Sequence, residues 1–140
     1  MTPKMLTAHF SLYELTRSAT ALRLGIDNTP DAEQILNLQA LAREVLEPVR
    51  TLAGKPMRVT SGFRCQQLNN AVHGAHSSQH TQGNAADITL GSANENHRLY
   101  RLIVGSSIPY DQLIGECGFR WLHISHNPNG ANRNLHFTLN

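Results

Sequence analysis

Residues 78–90 read Ser-Gln-His-Thr-Gln-Gly-Asn-Ala-Ala-Asp-Ile-Thr-Leu. In the second half of this stretch Ala86, Ile88 and Leu90 alternate with Ala85, Asp87 and Thr89. A period of two predicts a β-strand over 85–90, with one apolar face on a core and Asp87 on the other face. The residues before it close a polar loop, 73–84, rich in Gly, His, Ser and Gln. That loop delivers His80 just ahead of the strand.

Working outward, Gln112–Glu116 and Trp121–Ser125 predict two further strands. In the second, Leu122 and Ile124 face the core, so Trp121, His123 and Ser125 share the opposite face. Met57–Ser61 predicts a short strand with Val59 inward. Gly62-Phe63-Arg64 turns out of it, and Gln66–Val72 predicts a short helix. Asn94–Val104 predicts a helix carrying Leu99, Leu102 and Ile103.

The chain before residue 55 is helical in pattern. Ser11-Leu12-Tyr13-Glu14 is an S-x-x-E capping box that predicts a short helix. Thr29-Pro30 predicts an N-cap followed by proline at the first helical position. Ile35, Leu38, Leu41, Ala42, Val45, Val49 and Leu52 then recur at helical spacing, and Gly54 supplies the stop. Pro48, inside this run, predicts a kink or an early end. Helices first, then short strands around one helix, predict an α+β fold: a small, mainly antiparallel sheet with helices packed on one side.

With 140 residues the chain is expected to form a single domain, 1–140. Its helical part is 10–54 and its core of functional loops and strands is 55–126. A hydrophobic content of 40% excludes a disordered tail. No apolar run approaches a membrane span, and the start MTPKMLTAHF has no signal-peptide h-region. A net charge of +2 argues against a nucleic-acid grip. Two cysteines, Cys65 and Cys117, make neither a disulfide scaffold nor a zinc finger and are expected as free buried thiols. A monomer is expected.

Histidine carries the functional signal. There are eight, seven of them in the second half among Gly, Asn and Ser. By pleat, Asp87 and His123 each stand opposite their strand's apolar residues, which predicts that both face one solvent-facing cleft. His80 arrives there from the loop. Two imidazoles and a carboxylate suit zinc, and three protein ligands leave a fourth position open, as in catalytic sites. On the residues alone other readings stand beside this one: a backbone-bonded loop histidine, a capping aspartate and a half-buried histidine.

The segment 78–87 fits S-x-H-x-x-G-x-A-x-D. Ser61-Gly62-Phe63-Arg64 fits S-G-[YF]-R, and 68–74 is similar to N-x-x-V-G-G. Gln112-Leu113-Ile114-Gly115-Glu116 and Trp121-Leu122-His123-Ile124-Ser125 fit Q-L-I-x-E and W-[IV]-H-[IV]-S. Phe10–Leu15 and Leu46–Arg50 fit the helical part that precedes these blocks. Together, over residues 10–126, they resemble the D-alanyl-D-alanine carboxypeptidase group of zinc peptidases, which includes phage endolysin and tail-associated peptidases.

That resemblance implies one zinc ion per chain, bound by His80, Asp87 and His123. It implies Arg64 beside the substrate, holding a carboxylate or the developing oxyanion, and Ser78 touching substrate or a ligand. Related branches carry an acidic residue three positions before the last histidine ligand; here Arg120 stands there, which cannot act as a base. Glu116 is then the expected general base, with His126 and Asp111 as the alternatives, and a Glu116–Arg120 ion pair as the competing role. Trp121 is expected as a cleft wall or as packing beneath the metal. His73 and His76 flank the loop, lining the cleft or facing solvent, and His136 receives no role.

The implied activity is zinc-dependent hydrolysis of peptidoglycan stem peptides or crosslinks next to a D-amino acid, as a carboxypeptidase or an endopeptidase. The alternative is an inactive, zinc-stabilised cell-wall-binding or phage structural module. The expected partner is a peptidoglycan peptide, with no nucleic acid and no membrane. The expected setting is a phage or prophage product made in the cytoplasm and acting at the cell wall.

Overall fold

A computed structural model of the chain describes residues 4–140. Five helices and five strands follow one another as α1 (Ala19–Leu24), α2 (Ala32–Leu41), α3 (Glu47–Ala53), β1 (Arg58–Ser61), α4 (Gln66–Ala71), β2 (Ala85–Thr89), α5 (Ala93–Val104), β3 (Gln112–Glu116), β4 (Trp121–Ser125) and β5 (Leu135–Thr138). The sheet order is β1-β2-β4-β3-β5, antiparallel except where β5 runs parallel to β3. This is the expected α+β class. Among the described residues, no helix is long and apolar enough to cross a membrane.

The apolar stripe of 35–52 packs as its spacing predicts. Leu38, Leu41, Ala42, Val45 and Val49 are fully buried in one core with Val59, Ala86, Ile88, Leu122 and Ile124 from the sheet. Leu99 and Ile103 of α5 close the same core. Each Leu, Ile or Val side chain among them contributes roughly 1.5–3 kcal/mol of transfer free energy.

Pro48 neither ends the run nor stands alone at a kink. A π-helical turn, Ala42–Leu46, precedes it, with the Glu47 N–H bonded to the Ala42 carbonyl five residues back. Pro48 then falls in the first turn of α3, where its missing N–H costs nothing.

Two local expectations are corrected, and two elements are added. At Ser11–Glu14 the Glu14 N–H does donate to Ser11 Oγ (3.1 Å), but residues 12–16 form a turn, not a helix. Ser11 pairs with Met5 in an isolated β-bridge, and the Thr16 hydroxyl takes the Leu12 carbonyl (2.8 Å). The cap of α2 is Asp31, not Thr29. Asp31 and Gln34 exchange reciprocal 2.8 Å bonds, while the Thr29 hydroxyl is committed to Asp27 at 2.6 Å. Two elements, α1 and β5, had no sequence signal. Only Ala21 is buried in α1, and β5 is mostly exposed, so neither has an apolar period to read.

Candidate metal centre and active site

The cleft is built on the face of the sheet away from the core. Register places Ser61, Asp87, His123 and Ile114 in one row across β1, β2, β4 and β3. Ser61 reaches that row through a bulge. Val59 faces Ile88, yet Ser61 faces Asp87, so one extra β1 residue breaks the alternation that would have buried Ser61 beside Val59.

His80 comes from a 3-10 turn, Gln79–Gln82, that Ser78 caps by accepting the His80 N–H (3.2 Å). Polar side chains of α2 hold that turn. Gln34 donates to the Thr81 carbonyl (3.3 Å) and Asn37 to the Gln82 carbonyl (2.8 Å). Gly83 has φ +79°, and a Cβ there would lie 2.7 Å from the Gln34 carbonyl oxygen, so only glycine lets the loop meet the helix.

The three side chains converge. His80 Nε2 lies 3.3 Å, and His123 Nδ1 3.2 Å, from Asp87 Oδ1, and one ligand atom of each lies within 4.8 Å of the others. His80 Nδ1 donates to the Gly62 carbonyl at 2.7 Å. That bond fixes the tautomer and leaves the Nε2 lone pair on Asp87. The His80 Nε2 lone pair and the Asp87 carboxylate oxygen therefore face each other with no proton between them. A cation resolves this, and the donor set fits zinc. Gly62 is also a close backbone approach, since a Cβ there would sit 2.2 Å from the Leu15 carbonyl oxygen.

The site is more enclosed than the alternation predicts. His80 is 3% and Asp87 7% exposed, because the segment 62–82 covers the β2 end of the outer face. Burial alone would raise the Asp87 carboxyl, but its hydrogen bond with His123 prevails and holds it below the ordinary carboxylate range.

Arg64 lies beside the three. Its Nε donates to Ser61 Oγ (3.1 Å), Nη1 to Asn69 Oδ1 (3.2 Å) and Nη2 to Asp87 Oδ2 (3.5 Å). Asn69 is fully buried and donates in turn to the Ala75 carbonyl at 2.9 Å. A Cβ on Gly74 would lie 2.1 Å from Asn69 Oδ1, so glycine there keeps this chain of bonds closed. The structure thereby adds Asn69 and the Gly62 carbonyl, which sequence reasoning missed. Asn69 stood inside the 68–74 block, but only its partners show its task.

The cleft encloses about 660 Å³ and is lined by Arg64, Ser78, His80, Asp87, Glu116, Trp121 and His123, with His73 and Arg133 at its margins. Glu116 faces Trp121 across the hairpin and accepts its indole N–H at 2.8 Å, in place of the Arg120 pair considered from sequence. Arg120 and His76 do not line the cleft, nor do the alternative bases Asp111 and His126. Both Asp111 carboxylate oxygens are taken by Arg133 and Gln79 (2.8–3.1 Å), which hold its pKa at about 2. His126 is buried, and desolvation lowers its pKa. Both cysteines are free. Cys117, however, is exposed in the β3–β4 turn, and half-buried Cys65 caps α4 through Sγ; neither lines the cleft.

A comparison with curated proteins returns no match. The family model for Peptidase M15 matches residues 8–125, a span that contains all three converging side chains, Arg64 and Glu116. Matched over most of its length, the chain belongs to the Peptidase M15 family, the D-alanyl-D-alanine carboxypeptidase-type zinc peptidases.

Proposed function

We propose that this metallopeptidase hydrolyses peptide bonds next to D-amino acids in peptidoglycan stem peptides or crosslinks, with His80, Asp87 and His123 holding zinc. The observation that carries the reading is the convergence of these three ligand atoms within 4.8 Å at the floor of an open cleft in a Peptidase M15 chain. When bound, zinc supplies a Lewis acid that acidifies water and polarises the scissile carbonyl.

Glu116 takes the proton of the attacking water and returns it to the leaving amine. Trp121 orients it by holding Oε2, which leaves Oε1 for the proton. Arg64 has five N–H groups, three already bonded to protein. Those bonds lock it against Asp87, and the remaining two serve the developing oxyanion. Ser78 shapes the loop and offers its hydroxyl hydrogen to substrate.

Arg120 at the position of the family's acid supports a second reading, a zinc-stabilised wall-binding module. One experiment separates the two. Purified peptidoglycan is digested with wild type and Glu116→Gln, with and without chelator, and the products are weighed by mass spectrometry alongside metal content. Chelator-sensitive cleavage lost in Glu116→Gln supports the peptidase. Zinc at one per chain without cleavage by wild type overturns it for the module.

A further inference from the structure

Arg133 lines the cleft from outside the span matched by the family, which ends at residue 125. It lies in the segment between β4 and β5. Its side chain is 57% exposed, but it is not free to wander. Nε and Nη2 clamp the two oxygens of Asp111 at 3.0 and 2.8 Å, and the Arg133 backbone N–H adds a third bond at 3.1 Å.

Asp111 is 4% exposed and is itself tied to Gln79, the residue before His80, at 3.0 Å. One edge of the guanidinium is therefore fixed to the loop that carries a metal ligand. Nη1 has no protein partner among the described residues. A cation with one edge anchored and the other open in a cleft is prepared to receive an anion.

The register gives its distance from the reacting centre. His123 pairs with Ile114 in mid-strand, Glu116 with Trp121 at one end of β3, and Gln112 with Leu135 at the other. Arg133 precedes Leu135, so it stands at the end of β3 opposite Glu116. Arg133 lies two residues beyond that Gln112 row, so about four residues of strand, roughly 13 Å, separate its backbone from the Ile114 row. That spans about four residues of an extended peptide, a distance the Arg133 side chain shortens by lining the cleft.

We infer that Arg133 is a specificity-determining residue that binds a carboxylate of the substrate peptide at the end of the cleft opposite Glu116. The inference rests on the peptidase reading. A stem peptide offers two sources, its terminal α-carboxylate and the free α-carboxylate of a γ-linked D-glutamate.

The test uses zinc-loaded Glu116→Gln protein, which is not expected to cleave, and calorimetric binding of N-acetyl-L-Ala-γ-D-Glu-L-Lys-D-Ala-D-Ala. Two analogues carry either a C-terminal carboxamide or an amidated D-glutamate. A charge-assisted bidentate contact predicts that adding Arg133→Ala weakens the free-acid peptide about tenfold or more. One of the amides should already bind that weakly to the parent and lose nothing further, and it names the source. Arg133→Lys, which keeps a cation over Asp111, should lose less than Arg133→Ala; it also serves if the alanine variant fails to fold.

Equal losses for acid and both amides, or no loss at all, overturn the inference, as does a failure of all three peptides to bind. Chelator-sensitive cleavage of peptidoglycan by wild type is scored separately. Its absence overturns the peptidase reading, whereas its presence with equal acid and amide affinities overturns only the role of Arg133.

Discussion

Asp87 and His123 are register partners on neighbouring strands, and Asp87 Oδ1 lies 3.2 Å from His123 Nδ1. The pairing of β2 with β4 thus sets the spacing between these two side chains. Only His80 depends on a loop, and that loop is bonded to α2 and to Gly62.

The first prediction concerns Asp87. Replacing it with alanine removes one of the three proposed ligands and strands Arg64, which is largely buried. Breaking a buried pair on one side costs about 3–5 kcal/mol. Thermal unfolding with and without chelator should show a chelator-sensitive melting temperature in wild type and none in Asp87→Ala, with metal content reduced in the variant. An unchanged metal content would remove Asp87 from the ligand set.

Gly62→Ala tests the support of His80. The added Cβ meets the Leu15 carbonyl oxygen at 2.2 Å, so backbone must move. Overpacking of this kind costs about 1–3 kcal/mol. Because the Gly62 carbonyl also holds His80 Nδ1, metal affinity should fall by about 10–100-fold, the range for lost partners of ligating histidines. Competition with a chromophoric chelator measures it, and destabilisation with unchanged metal affinity would show that the carbonyl does not orient His80.

Trp121→Phe removes the donor that holds Glu116 and keeps the aromatic wall. Turnover should fall severalfold with KM little changed if the indole acts on Glu116 as the proposed base. The stability change should stay near the ~1 kcal/mol of one hydrogen bond. A rise in KM at constant kcat would assign Trp121 to substrate binding.

Asp111 predicts an acid limb. Its side-chain bond to Arg133 holds its pKa at about 2, against an ordinary 3.8, so the unfolded chain binds its proton first as pH falls. The stabilisation is complete above the ordinary value and is lost as pH falls from about 4 to about 2. Urea unfolding across that range should show wild type losing stability faster than Asp111→Asn, and parallel curves would refute the coupling.

Much of the site was legible because it lies on regular strands. Leu122 and Ile124 marked the buried face of β4, which left His123 on the other; Ile88 did the same for Asp87. The helical stripe read equally well, since the period of 3.6 in Leu38, Leu41, Val45 and Val49 reflects burial. Short polar elements did not. Residues 12–16 satisfied a capping pattern without forming a helix, because Ser11 was held in a bridge, and β5 has no apolar face.

What the sequence determined by itself was four of the five strands, the side on which Asp87 and His123 stand, and the family to which their spacing belongs. These follow from local periodicity and from motif order, which the chain carries at every scale of a few residues. The tertiary structure alone decided that Ser61 joins the row of Asp87 and His123, because a bulge adds one residue and reverses its face. It alone decided that the Gly62 carbonyl orients His80, that Trp121 rather than Arg120 holds Glu116, and that Asp111 anchors Arg133. Each of these is a contact between segments whose approach depends on sheet pairing, and no periodicity in a single segment records its partner.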